Sequence, residues 1–158
     1  MSISNNTNEE EHSGIGGWLI LFAIGIIMNP FRLSYFTYSI FSDVFSSGAW
    51  DSLFFSHVLL KPLIIYELIA NSISIIMSLA VLVLFFKKSK FFPKAWIGFV
   101  IFSIFVVVID FLFARQIPII AEGGFNHIYK SLIHNIVALS VWGTYLKKSI
   151  RVKTTFIG

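Results

Sequence analysis

Cysteine is absent from the 158 residues, so no disulfide can staple a loop and no thiolate can act as nucleophile or metal ligand. Redox compartment is unreadable for the same reason. Charge is scarce: 13% of residues carry it, against about a quarter in a typical soluble domain. No His-Glu-x-x-His occurs. Gly14-Ile15-Gly16-Gly17 is neither a dinucleotide nor a phosphate-loop fingerprint, because no strand pattern precedes it and no Gly-Lys-Ser follows. His127 and His134 share a helix face but stand about 10 Å apart along it, too far to chelate one metal ion unaided. Serines are too numerous for a Ser/His/Asp arrangement to be singled out. Cofactor, metal site and enzyme activity all lack a positive sign, and a non-enzymatic protein is expected.

What the chain has in excess is apolar character, 56% of residues, gathered into runs of about 20 residues, the length that carries a helix across roughly 30 Å of hydrocarbon. The fold expected is an all-α integral membrane protein, four transmembrane helices in a bundle over 14–149, with helices at 16–35, 62–86, 93–117 and 127–146. The first run holds Asn29-Pro30, where proline removes a backbone donor and predicts a bend. The second and third open with Pro62 and Pro93, which suit a first helical turn. The fourth carries His127, Lys130, His134 and Asn135, so it inserts least favourably on a transfer scale. Between the first two runs, Trp50, Leu53, Phe54 and Phe55 are consistent with a short interfacial helix or with a compact loop. Residues 1–13 read as a disordered acidic tail without the positive stretch that begins a secretory signal, and 150–158 as a basic cytoplasmic tail.

The net charge of +4 does not point to nucleic acid, because the basic residues sit beside the apolar runs. Lys87, Lys88, Lys90 and Lys94 follow the second run, and Lys147, Lys148, Arg151 and Lys153 follow the fourth: eight of the twelve basic residues. Two positive stretches two spans apart share a side, and the positive-inside rule makes that side cytoplasmic. Both termini are then expected inside an inner (plasma) membrane. Trp18, Trp96, Trp142 and Tyr145 fall near the same helix ends, where aromatic rings favour the headgroup region.

Ionisable groups at a helix centre cost about 2.5 to 3.5 kcal/mol each on insertion scales, so each asks for a partner or a purpose. The runs contain Arg32, Glu67, Asp110, Arg115 and His134. Counting from the basic ends, Arg32, Asp110 and Glu67 fall at about 24, 25 and 28 Å, in the outer third of the bilayer. Helical spacing gives each run a candidate inward face: Gly25, Asn29 and Arg32; Glu67, Asn71, Ser74 and Ser78; Ser103, Asp110 and Ala114; Ser131, Asn135, Ala138 and Trp142, with His134 alongside. Two readings stay open. The arginines and acids could pair across helices and fix register, with Asn71 and Asn135 adding interhelical hydrogen bonds. Alternatively, the layer could line an outward polar cavity for a small ligand, an ion or a protein partner, with Glu67, Asp110 and His134 able to exchange protons.

Gly14-Ile15-Gly16-Gly17-Trp18-Leu19-Ile20, followed by Asn29-Pro30-Phe31-Arg32, resembles the start of the bacterial membrane family catalogued as domain of unknown function 2569. Trp142 and Tyr145, then Ser149, Arg151, Val152, Lys153, Thr155 and Phe156, are similar to its closing pattern. Gly143-Thr144 departs from it, where an aliphatic residue and proline are expected. The resemblance implies a four-helix bacterial inner-membrane protein and no established activity. For the closing motif itself, Arg151 and Lys153 suit anionic headgroups, each contributing about 1 kcal/mol, and a partner-docking peptide is the alternative. The partners expected are the bilayer and, at the polar layer, another membrane protein or a small ligand. The runner-up function is an intramembrane enzyme using Glu67, Asp110 and His134 as acid and base.

Overall fold

A computed structural model describes residues 17–46, 48, 50 and 57–156, and the acidic tail lies outside them. Among the described residues six α-helices follow one another: α1 (Trp18–Phe41), α2 (Leu60–Phe86), α3 (Phe92–Ala114), α4 (Pro118–Glu122), α5 (Asn126–Lys148) and α6 (Ile150–Thr155). A π-helical turn, Ser42–Ser46, prolongs α1. No strand occurs among the described residues.

Among the described residues three stretches are long and apolar enough to cross a membrane: Trp18–Phe45, Leu60–Phe86 and Phe92–Ala114. Only 28, 28 and 17% of their apolar windows is buried inside the protein. Large apolar side chains instead cover the outside, among them Ile24, Phe31, Ile69, Ile76, Ile101 and Phe105. Hydrocarbon is the solvent that such a surface fits, and helices satisfy their own backbone groups there. The chain is therefore a membrane protein.

Pro30 sits inside α1 and is buried. It does not end the helix, which runs on past Tyr35 to Phe41, supported by the Thr37 hydroxyl donating to the Leu33 carbonyl at 2.9 Å. At the end of α3 proline does stop a helix. Ile117, ahead of Pro118, is held extended at φ −105° and ψ 107°, because the proline ring disfavours helical geometry in the residue before it. The helix accordingly ends at Ala114, three residues short of the expected 117, and Pro118 opens α4. The α2–α3 turn closes with Lys88 at φ 51°; its amide bonds to the Phe85 carbonyl and that of Ser89 to Leu84, each at 3.0 Å, a Schellman stop built without glycine. Of the segment expected to be an interfacial helix, Leu53, Phe54 and Phe55 lie outside the described residues. Trp50 stacks on Phe45 at 4.9 Å, and the Lys61 ammonium lies 4.9 Å from the Trp50 ring centroid.

Helix α1 packs along α2, α2 along α3, and α3 along α5. Two apolar cores lie at opposite ends. At the end that carries the basic α2–α3 turn, Leu19, Phe22, Phe85, Phe92, Trp96 and Phe156 form the larger one; at the far end, Leu60, Leu63 and Ile117 pack with Tyr66 and Phe113. The stretch read as a basic tail is partly core. Ser149 caps α6, its Oγ accepting from the Val152 amide at 3.4 Å. Val152, Thr155 and Phe156 are buried, and Phe156 stacks on Phe92 with centroids 4.5 Å apart. Both basic stretches thus share one end. Gly17, at φ +57°, lies there too, with Arg151 Nη1 3.9 Å from where a Cβ would stand.

Candidate functional site

Between these cores lies a cavity of about 900 Å³ walled by α1, α2, α3 and α5. Its floor is aromatic. Phe22 meets Trp96 edge-on at 5.1 Å and Trp142 at 4.8 Å, so α1 and α5 touch at this level although they do not pack along their lengths.

Above the floor the walls become polar. Asn29 donates from Nδ2 to Ser78 Oγ at 3.0 Å, tying α1 to α2 directly before Pro30. Ser74 and Ser103 donate back to the carbonyls of Ala70 and Phe99, at 2.8 and 3.0 Å. Their hydroxyl oxygens remain as acceptors on the cavity wall. Asn71, Ser131 and Asn135 continue this belt.

The far part of the cavity is charged: Arg32 from α1, Glu67 from α2, Asp110 from α3, and His127, Lys130 and His134 from α5. Glu67 and Asp110 face each other across the α2–α3 contact, with His127 near Asp110. Beside them the Tyr66 hydroxyl donates to the Val106 carbonyl at 3.0 Å. Among the described residues no group of three or more His, Asp and Glu side chains is arranged to hold a metal ion.

Arg32, Glu67, Asn71, Asp110, His134 and Asn135 all line this one cavity, whereas Arg115 does not. Arg115 caps α3 and is exposed. Five residues past Asp110, it points about 140° away around the helix, so the two cannot share a face. The expected balance of two arginines against two acids is replaced by an acid–acid contact, with Arg32 exposed on the α1 wall. Ala114 is buried outside the lining. The polar reading did not include His127 and Lys130 in the layer, yet both fall on the His134 stripe, seven and four residues earlier. Phe22 was invisible as floor, since nothing in an apolar run marks which phenylalanine faces inward.

The family described as "Protein of unknown function (DUF2569)" matches residues 12–157. No curated protein and no solved structure matches the chain. Of the motif residues within the described chain, Arg32 and Trp142 line the cavity, while Gly17 and the Ser149–Phe156 stretch build the basic end. Gly16 lies outside the described residues.

Proposed function

The chain belongs to the DUF2569 family, a membership that carries no activity with it, and we propose that it is a four-crossing, non-enzymatic inner-membrane protein of a bacterium whose cavity receives a small ligand or partner group, in a transporter-like or accessory role. One observation carries the reading: the polar stripes of four helices converge on a single cavity of about 900 Å³, near the top of the ~300–1,000 Å³ range of ligand sites.

The fourth crossing rests on α5. At 23 residues it is about 34 Å long, and it runs beside α3 from the Phe111–Tyr129 contact at 5.9 Å down to the floor at Trp142. Ile133, Val137 and Val141 are exposed on its outer side, while Lys130, His134 and Asn135 line the cavity. Its low average hydropathy thus comes from side chains on the cavity wall and from Lys147 and Lys148 at the basic end. The basic end is cytoplasmic by the positive-inside rule, which puts both termini inside.

Because the chain lacks cysteine, single introduced cysteines report sidedness cleanly. Ser89→Cys and Lys153→Cys should react only from the cytoplasmic side and Glu122→Cys only from outside; Lys153→Cys and Glu122→Cys on one side would remove the fourth crossing. For the cavity, native mass spectrometry of membrane-purified protein should retain a bound small molecule or lipid. Gly25→Leu should eject it, since a Cβ at Gly25 meets nothing within 4 Å and the side chain has room to enter. Bare protein in both cases, with no stabilisation by any compound tested, would leave the cavity without a role.

A further inference from the structure

We infer that the occupant of the cavity is an anionic amphiphile of the bilayer, entering sideways through the open seam between α1 and α5, its head at Arg32 and Lys130 and its chain against the aromatic floor. The inference rests on the cavity being a binding site and names the class of ligand.

The seam follows from the packing. Three of the four neighbouring helix pairs pack along their lengths; α1 and α5 meet at Phe22 and Trp142, at the floor. Above that contact the two helices present side chains that line the cavity and are also exposed: Tyr35 and Phe36 from α1, and Ser131 and His134 from α5. Nor does Gly25 obstruct the α1 side. A cavity open between two spans faces lipid, and lipid is what can enter it.

Charge selects the head. Counted from the Phe22–Trp142 level, His134 stands about 12 Å up, Arg32 about 15 Å and Lys130 about 18 Å. Arg32 and Lys130 are exposed, and an exposed cation at that depth in hydrocarbon is costly unless an anion meets it. The acids do not fill that role, because Glu67 and Asp110 meet each other from the α2 and α3 walls. Arg32 and Lys130 stand instead on α1 and α5, the two helices that border the seam. His127, His134, Tyr35 and Tyr66 are the other titratable groups that line the cavity. Below this level Phe22, Ile26, Val81, Trp96, Phe99 and Val100 offer an apolar wall of the kind an acyl chain fits.

Brominated lipids quench tryptophan on contact, and Trp96 and Trp142 are both at the floor. The probe is the full-length Trp18→Phe/Trp50→Phe protein in phosphatidylcholine nanodiscs doped with a few mole per cent of chain-brominated phosphatidylglycerol or, in parallel, chain-brominated phosphatidylcholine. The anionic lipid should quench several-fold more than the zwitterionic one. Arg32→Gln/Lys130→Gln should bring the two to the same level, and Gly25→Leu should suppress quenching by both. Equal quenching in the parent protein overturns the selection of an anion; selection that survives the double substitution overturns the assigned head site. Stabilisation by inorganic phosphate with no lipid quenching overturns the lateral route but leaves the cavity as a binding site. A dimer whose tryptophans no lipid reaches places a second copy in the seam and overturns the proposal as well.

Discussion

Phe156 lies in face-to-face contact with Phe92, centroids 4.5 Å apart and rings inclined by 25°. The residue after the last helix is thereby fastened to the first turn of α3, and Phe85, at 5.6 Å, closes the group from α2. Truncating a buried phenylalanine costs about 3 to 5 kcal/mol through lost contacts and the cavity left behind. Phe156→Ala should therefore lower the unfolding temperature in detergent markedly, and Lys153→Gln, exposed on the same short helix, should leave it unchanged. Equal, small effects would mean that α6 is dispensable to the fold.

The cap of that helix is weaker. Ser149 Oγ accepts from the Val152 amide at a long 3.4 Å, so Ser149→Ala should cost near the low end of the ~0.5–2 kcal/mol range for cap removal. Thermal unfolding of Ser149→Ala beside Ser149→Asp, which keeps an acceptor, measures it; an unaltered midpoint for alanine would show that the cap is idle.

Asn29 and Ser78 join α1 to α2 through one side-chain hydrogen bond of 3.0 Å. Bonds of this kind between membrane helices average about 0.6 kcal/mol and reach about 1.7. A double-mutant cycle with Asn29→Ala and Ser78→Ala should return a coupling in that interval. A coupling of zero would mean that water or neighbouring groups replace the bond without loss.

Lys88 adopts φ 51° where helix stops favour glycine. Relieving that geometry with Lys88→Gly should raise stability by about 1 kcal/mol. The readout is the unfolding midpoint, with Lys87→Gly as the control expected to fall, since Lys87 keeps helical dihedrals.

The two arginines should separate functionally. Arg32 lines the cavity and Arg115 does not, so Arg32→Gln should weaken retention of the co-purified ligand about tenfold, the order of a single charge-assisted contact, while Arg115→Gln should not. A loss shared equally by both would return Arg115 to the polar layer.

Much of this was legible from spacing alone. Glu67, Asn71, Ser74 and Ser78 recur at helical intervals, and that face is the one that lines the cavity. The stop at Ala114 had a signal too, since Pro118 disfavours a helical Ile117, yet the helix expected from the apolar run extends to 117. Charge counting misled where rotation mattered, because depth along a helix says nothing about direction around it; Arg115 matches the acids in the first and not in the second. The closing motif was read through Arg151 and Lys153, although Val152, Thr155 and Phe156 at i, i+3 and i+4 already describe an apolar face. Which acid meets which base, by contrast, depends on how four helices are rolled against one another, and no single run contains that information.

The rings of Phe22, Trp96 and Trp142 make the chamber a blind alley toward the basic end. Whatever arrives must leave by the way it came unless those rings part. The 4.8 Å between Phe22 and Trp142 is thus the gap that separates a receptor from a conduit: a cross-link holding it shut would spare docking and abolish any through-traffic.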